Sequence, residues 1–292
     1  AASGECVSTT QAVKCLMCFI CVVLSSYICV VYTDSINKAG CGVAAPLGRI
    51  VHGAKINRPQ VPWIVYIVIK YMNATNHSAN IMCGGSIISP SFILTAAHCL
   101  NRKGRYPLSA TIYYNATRRR EGPRRKAALF IIHPWYDRLA NDIGLIKLQW
   151  PISFDKFVHA VCLPTKYYKL VHRPSLVAGW GRTVEDGQSS NDLLYITSVV
   201  LPYELCKATF NKSSLLKKLS NVTVICTLSK FKDSCKGDSG GPLTTWRQKN
   251  DLSVQIGIVS FGIGCARPDK PGIYTRVATF VPWIRHQIAK YN

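Results

Sequence analysis

The sequence predicts an all-β domain closed by a C-terminal helix, and two patterns carry that expectation. From Ile50 onward, short apolar stretches rich in Val, Ile and Tyr, such as residues 61–71 and 85–97, are divided by Gly, Pro and Asn. That is the rhythm of strands and tight turns. Near the end, Phe280, Ile284 and Ile288 recur every four residues while Arg285, His286 and Lys290 fall elsewhere, with Pro282 near the start, the pattern of an amphipathic helix. The chain has 292 residues, 48% of them hydrophobic, enough to bury a substantial core, so disorder is excluded as the main theme.

Charge and cysteine content narrow the setting. Against 14 Asp and Glu stand 36 Lys and Arg, a formal charge of +22 that attracts polyanions. The 13 Cys argue for an oxidising compartment, where sulfated glycans and anionic membranes are commoner partners than nucleic acid. Glycosylation sequons at Asn73, Asn76, Asn115, Asn211 and Asn221 point to the same compartment. The run Arg118-Arg119-Arg120-Glu121-Gly122-Pro123-Arg124-Arg125-Lys126 reads as a sharply basic loop, either a solvated turn or a polyanion site.

Residues 15–32 are almost wholly apolar, follow Lys14, and are interrupted only by Ser25 and Ser26. Such a run addresses a chain to a membrane, as a cleaved signal peptide or as an uncleaved anchor. Cleavage is favoured, because an anchor would leave only residues 33–40 as a stalk. Either way the remainder faces outside. The expected organisation is a leader over 1–32, a short propeptide over 33–49 and a single domain over 50–292.

Three segments carry chemistry. In Gly237-Asp238-Ser239-Gly240-Gly241-Pro242 a Ser among glycines can present its hydroxyl on a tight turn, with backbone N–H groups free to face a developing oxyanion. The same residues fit the G-x-S-x-G pattern of α/β-hydrolases, and Asp251, Asp269 and His286 follow in the required order. Only residues 240–292 remain, however, which is cramped for the crossovers of a parallel sheet. Upstream, Leu94-Thr95-Ala96-Ala97-His98-Cys99 ends a β-like run in a His, and Asn141-Asp142-Ile143-Gly144 leads an acid into an apolar segment, where it needs a partner.

Taken in order, Ile50-Val51-His52-Gly53, Cys83-Gly84-Gly85-Ser86, the His98 and Asp142 segments, Gly179-Trp180-Gly181, the Ser239 loop and Pro271-Gly272-Ile273-Tyr274 resemble the trypsin/chymotrypsin family of serine peptidases over residues 50–292. The resemblance implies two packed antiparallel Greek-key β-barrels with a C-terminal helix. It implies that Ser239 attacks the peptide carbonyl, His98 takes and returns the proton, Asp142 orients His98, and the N–H groups of Gly237 and Ser239 form the oxyanion hole. Ser260 would adjoin Asp142 on the substrate strand.

Specificity and activation follow from the same resemblance. Asp233 matches the base of the primary pocket, and a buried carboxylate there selects Arg or Lys. Gly262 and Gly272 match the pocket walls, and Ser234 adds a hydrogen-bonding group. Two residues depart from the pattern: Lys236 borders the pocket mouth, and Phe261 replaces the usual Trp. Arg49-Ile50 resembles the activation bond, whose cleavage by another trypsin-like enzyme or by the chain itself frees an α-amino group to pair with Asp238. The implied disulfides are Cys41 with Cys162, Cys83 with Cys99, Cys206 with Cys226 and Cys235 with Cys265. Ser175 and Thr245 stand where relatives often carry a further bridge. Cys6, Cys15, Cys18, Cys21 and Cys29 remain in the leader.

No cofactor or metal is expected: the Cys and His spacings fit no compact zinc site, and the segment after His98 lacks the carboxylates of a calcium loop. The expected partners are protein or peptide substrates with Arg or Lys before the cut, an activating trypsin-like protease, serine-protease inhibitors and polyanionic glycans. Two rival readings are a catalytically silent protease fold that binds a glycosaminoglycan or receptor through its basic surface, and a nucleic-acid binder. The second explains neither the Ser, His and Asp segments nor the cysteines.

Overall fold

The computed structural model describes residues 36–44, 54–55, 60–72, 78–102, 104–138, 140–182, 187–209, 220–229, 237–246, 252–262 and 271–292. The leader over 1–32, the Arg49–Ile50 bond, Asp233, Ser234, Cys235, Lys236, Cys265 and the sequons at Asn73, Asn76 and Asn211 lie outside the described residues.

After the two-residue strand β1 (Ala54–Lys55) come β2 (Ile64–Met72), β3 (Ser78–Ser89), β4 (Phe92–Thr95), β5 (Ser109–Tyr114), β6 (Arg124–Ile132) and β7 (Gly144–Leu148). They close an antiparallel barrel in the order β2-β3-β4-β7-β6-β5. The next six strands are β8 (Pro174–Gly179), β9 (Leu194–Val200), β10 (Val224–Leu228), β11 (Pro242–Trp246), β12 (Ser253–Phe261) and β13 (Gly272–Arg276). They repeat the same connectivity as β8-β9-β10-β13-β12-β11, closed by β8 on β11, with β1 added at β9. Each barrel is therefore two three-strand meanders whose ends pair, which leaves the described strands without a long open edge.

Alternation explains the first barrel. In β2, Ile67, Ile69 and Tyr71 are buried while Lys70 and Met72 are exposed. By contrast, nearly every residue of β12 is buried, because one face lines its own barrel and the other meets the first barrel. There, the Ser86 hydroxyl of β3 donates to Gln255 Oε1 at 2.5 Å, so the buried amide of Gln255 has a partner.

Three helices complete the described fold: α1 (Ala97–Leu100), α2 (Tyr203–Thr209) and α3 (Val277–Tyr291). The last is the expected amphipathic helix, burying Phe280, Val281, Ile284 and Ile288, each worth about 1.5–3 kcal/mol relative to exposure. Lys147 on β7 donates to the Tyr291 carbonyl and ties the helix end to the first barrel. The helix begins five residues before Pro282, so this proline lies inside it and removes one N–H from the helical ladder.

The basic run is a loop over residues 118–123 but not beyond. Arg124, Arg125 and Lys126 are the first residues of β6, in register with Tyr113, Ile112 and Thr111. Among the described residues three bridges are formed: Cys41–Cys162, Cys83–Cys99 and Cys206–Cys226. Ser175 and Thr245 are both buried; Ser175 bonds to Ser198, and Thr245 donates to the Pro174 carbonyl at 2.8 Å. Hydroxyl hydrogen bonds therefore link the strands at the place where relatives often carry a further bridge.

Residues 36–44 are strapped to the second barrel. Asn37 and Leu163 exchange amide hydrogen bonds of 2.6 and 3.0 Å, Gly42 N–H donates to the Ala160 carbonyl and Ser253 N–H to the Gly42 carbonyl, both at 2.8 Å. The Cys41–Cys162 bridge fastens the same segment covalently. No helix among the described residues is long and apolar enough to cross a membrane.

Candidate active site

The register of β4 and β7 explains how two residues 44 positions apart meet. Thr95 pairs with Gly144; His98 lies three residues beyond Thr95 in α1, and Asp142 two residues before Gly144. The Asp142 carboxylate takes His98 at two points: the backbone N–H of His98 donates to Oδ1 and ring Nδ1–H to Oδ2, both at 2.8 Å. The second barrel completes its surroundings. Ser260, near the end of β12, donates its hydroxyl to Asp142 Oδ2, and Thr275 on β13 donates to the Asp142 carbonyl at 2.8 Å.

This environment sets the protonation of the pair. Burial alone pulls the His98 pKa down, but the Asp142 charge and the hydrogen bond to it carry it above its ordinary value. Burial pushes Asp142 upward; the charge of His98 and hydrogen bonds from the His98 ring, Ser260 and the His98 backbone outweigh it and leave the carboxyl below its ordinary range. Asp142 is 1% exposed and the His98 side chain 30%, so the buried charge has its partners and the ring keeps a face toward the outside. With Nδ1–H committed to Asp142, Nε2 carries the lone pair.

Ser239 approaches from the second barrel, held through its backbone. Its carbonyl accepts from Gly84 N–H at 2.7 Å, while Gly240 N–H donates to Val259 O at 2.8 Å and Gly241 N–H to Asp238 O at 2.9 Å. Since Gly84 is on β3, the first of these bonds crosses between barrels. Among the described residues the Ser239 hydroxyl makes no hydrogen bond to His98, and the N–H groups of Gly237 and Ser239 donate to no acceptor. Gly237 has φ +109°, a conformation that side chains resist.

Asp238 points away from this opening. Its Oδ1 accepts from Gly181 N–H at 2.7 Å, and its carboxyl lies against the α-carbons of both Gly179 and Gly181. A Cβ on Gly181 would stand 2.3 Å from Asp238 Oδ2, and one on Gly179 2.1 Å from Oδ1. The Gly-Trp-Gly motif thus keeps the floor beneath Asp238 free of side chains. Trp180 between them packs edge-on against Tyr66, with centroids 5.5 Å apart. Gly181→Ala is expected to displace Asp238 and the peptide units on either side of it, lowering kcat by about 10²–10³ as loss of an oxyanion donor does. Active-site titration with thermal unfolding checks this; full turnover at normal titre would show that the crowding is absorbed elsewhere.

Other expected site residues sit as follows. Phe261 and Ile273 are register partners, which sets Gly262 beside Gly272 at the ends of β12 and β13. Phe261 is half-buried against Cys206, Val224, Cys226 and Ile273. Gly179 and Gly181 were marked in the sequence only as part of a family landmark, without their role under Asp238, and Thr275 was not singled out at all. A Thr within a buried strand was the available signal, since its hydroxyl needs a partner. The one cluster of metal-type ligands among the described residues is Cys83, His98 and Cys99; both sulfurs are locked in a disulfide, so no thiolate is available.

The two barrels and the residues gathered at their junction define a two-barrel serine peptidase. A family model described as Trypsin matches residues 50–284, and the chain belongs to that family. It is similar to the serine proteinase stubble of Drosophila melanogaster, 30% identical over 273 residues covering 88% of this chain and 34% of the relative. The chain thus spans about a third of the length of that curated relative.

Proposed function

We propose that the chain is a serine endopeptidase acting outside the cytosol, cutting after Arg or Lys once its own Arg49–Ile50 bond has been cut. In this reading Ser239 Oγ attacks the substrate carbonyl while His98 Nε2 takes the hydroxyl proton. The oxyanion turns toward the N–H groups of Gly237 and Ser239. His98 then returns the proton to the leaving amine, and water repeats the cycle on the acyl-enzyme. Asp142 orients the ring and stabilises its charged form, and the Ser239–His98 hydrogen bond forms as substrate closes the site. The observation that carries the reading is the two-point hold of Asp142 on His98, which leaves Nε2 as a base.

For specificity, Asp233 supplies the negative floor of the primary pocket, with Ser234 beside it and Gly262 and Gly272 as walls. Lys236 at the mouth favours acidic groups near the scissile bond. For activation, the new α-amino group of Ile50 pairs with Asp238 and orders the Gly237–Ser239 turn. The Cys235–Cys265 bridge closes the pocket loops, and serine-protease inhibitors occupy the same cleft.

The test is a fluorophosphonate probe applied before and after cleavage at Arg49, followed by profiling on a peptide library. Labelling of Ser239 only after cleavage, with Arg and Lys preferred before the cut, is expected. An unlabelled Ser239 in the cut chain would mark a silent binding protein, and labelling without a basic preference would sink the Asp233 assignment alone.

A further inference from the structure

Half of the basic run at residues 118–126 is engaged internally. Arg118 pairs with Glu121 at 3.3 Å and Asp192 at 3.8 Å, Arg119 donates to Asn191 Oδ1, and Arg125 lies over the Tyr114 ring and donates to the Pro151 carbonyl. That leaves Arg120 on the turn, held at φ +60°, and Arg124 and Lys126, exposed at alternate positions of β6.

Strand register adds cations remote in sequence. Lys126 lies across from Thr111, Thr111 across from Val68, and Lys70 is the next exposed residue along β2. One further step outward, Arg105 donates to the carbonyl of Met72 at 3.1 Å. Arg105 and Arg102 are bonded to each other through their backbones, in a turn closed by Gly104 N–H on Asn101 Oδ1 at 2.8 Å. That turn begins just beyond α1, which carries His98. Alternate residues of a strand are about 6.8 Å apart and neighbouring strands about 4.8 Å, so Arg120, Arg124, Lys126, Lys70, Arg105 and Arg102 form a diagonal across the outer face of the first barrel. Among the described residues, no carboxylate pairs with any of the six.

We infer that this diagonal binds a linear sulfated glycan, lying across β6, β5 and β2 with one end close to the His98 turn. An extended chain carrying an anion on each unit matches a row of cations better than a compact anion does. Exposed Ser109 and half-buried Thr111 place hydroxyls between the charges, and the disulfides favour the compartment where such glycans occur. The site is independent of the catalytic reading, because binding is measured without turnover.

The experiment uses the whole secreted chain and a heparin-derived octasaccharide. Arg120→Glu/Arg124→Glu/Lys126→Glu is expected to raise Kd about tenfold or more at ~0.15 M salt, whereas the charge-matched control Lys156→Glu/Lys166→Glu/Lys169→Glu changes it by less than about twofold. The milder Arg124→Gln/Lys126→Gln pair should flatten the dependence of log Kd on log salt by up to about two, and serves if the triple variant fails to fold. Equal weakening in the control, no binding by the native chain, unchanged Kd and slope in the double variant, or equally tight binding of a desulfated octasaccharide or a Glu-rich peptide would each overturn the assignment.

Discussion

Replacing Asp142 by Asn is expected to lower kcat by about four orders of magnitude with the fold retained. The carboxylate accepts from His98 N–H and His98 Nδ1–H at 2.8 Å each, and also from Ser260. An amide can keep one of its contacts through its oxygen but presents N–H to the other. If that N–H faces Nδ1, the ring proton moves to Nε2, the atom that must accept from Ser239, and the base is lost. Steady-state kinetics with an unfolding curve check the result; an Asn variant within tenfold of the native rate would show that the ring does not depend on this partner.

The pH profile follows from the same contacts. The ascending limb reports loss of the His98 proton, and the pKa of His98 lies above its ordinary 6.5, so the limb should be centred above that value. In the Asn variant only burial remains, and the limb of the residual activity should move down. Stability follows by linkage. The raised His98 contributes fully below its unfolded pKa and loses this as pH rises through the folded one. The lowered Asp142 contributes above its ordinary 3.8 and loses this as pH falls through the folded value. Between those limits the pair contributes most to stability.

Ser239→Ala should cost more, about six orders of magnitude in kcat, and adding His98→Ala should then cost almost nothing. A base without a nucleophile has no proton to take. The measurement is a comparison of the two single variants with the double variant on one peptide substrate. Additive losses would mean that Ser239 and His98 act in separate steps. Substrate affinity should change little, because the pocket assigned to Asp233 is untouched.

The strand rhythm of residues 61–71 and the four-residue spacing of Phe280, Ile284 and Ile288 were legible because each follows from local burial. Closure of two barrels was not: alternation marks which residues face inward, but not that β7 pairs with β4 and β13 with β10. Only the family resemblance supplied that. Similarly, His98, Asp142 and Ser239 could be picked out by type and context, whereas Thr275 and Gly181 owe their importance to a partner far along the chain. The basic run shows the same limit. Composition marked six cations alike, yet Arg118 and Arg119 hold the molecule to itself, while Lys70 and Arg105, unremarkable in sequence, extend the charged row.

The strap at residues 36–44 determines what a cut after Arg49 releases. Cys41 lies upstream of that bond and Cys162 far downstream, so severing the backbone there yields two polypeptides that still travel as one particle. A reducing gel would show two bands and a non-reducing gel one. In the proposed activation, whatever positions the upstream piece in its surroundings would go on positioning the rest of the molecule after the cut, confining proteolysis to that neighbourhood.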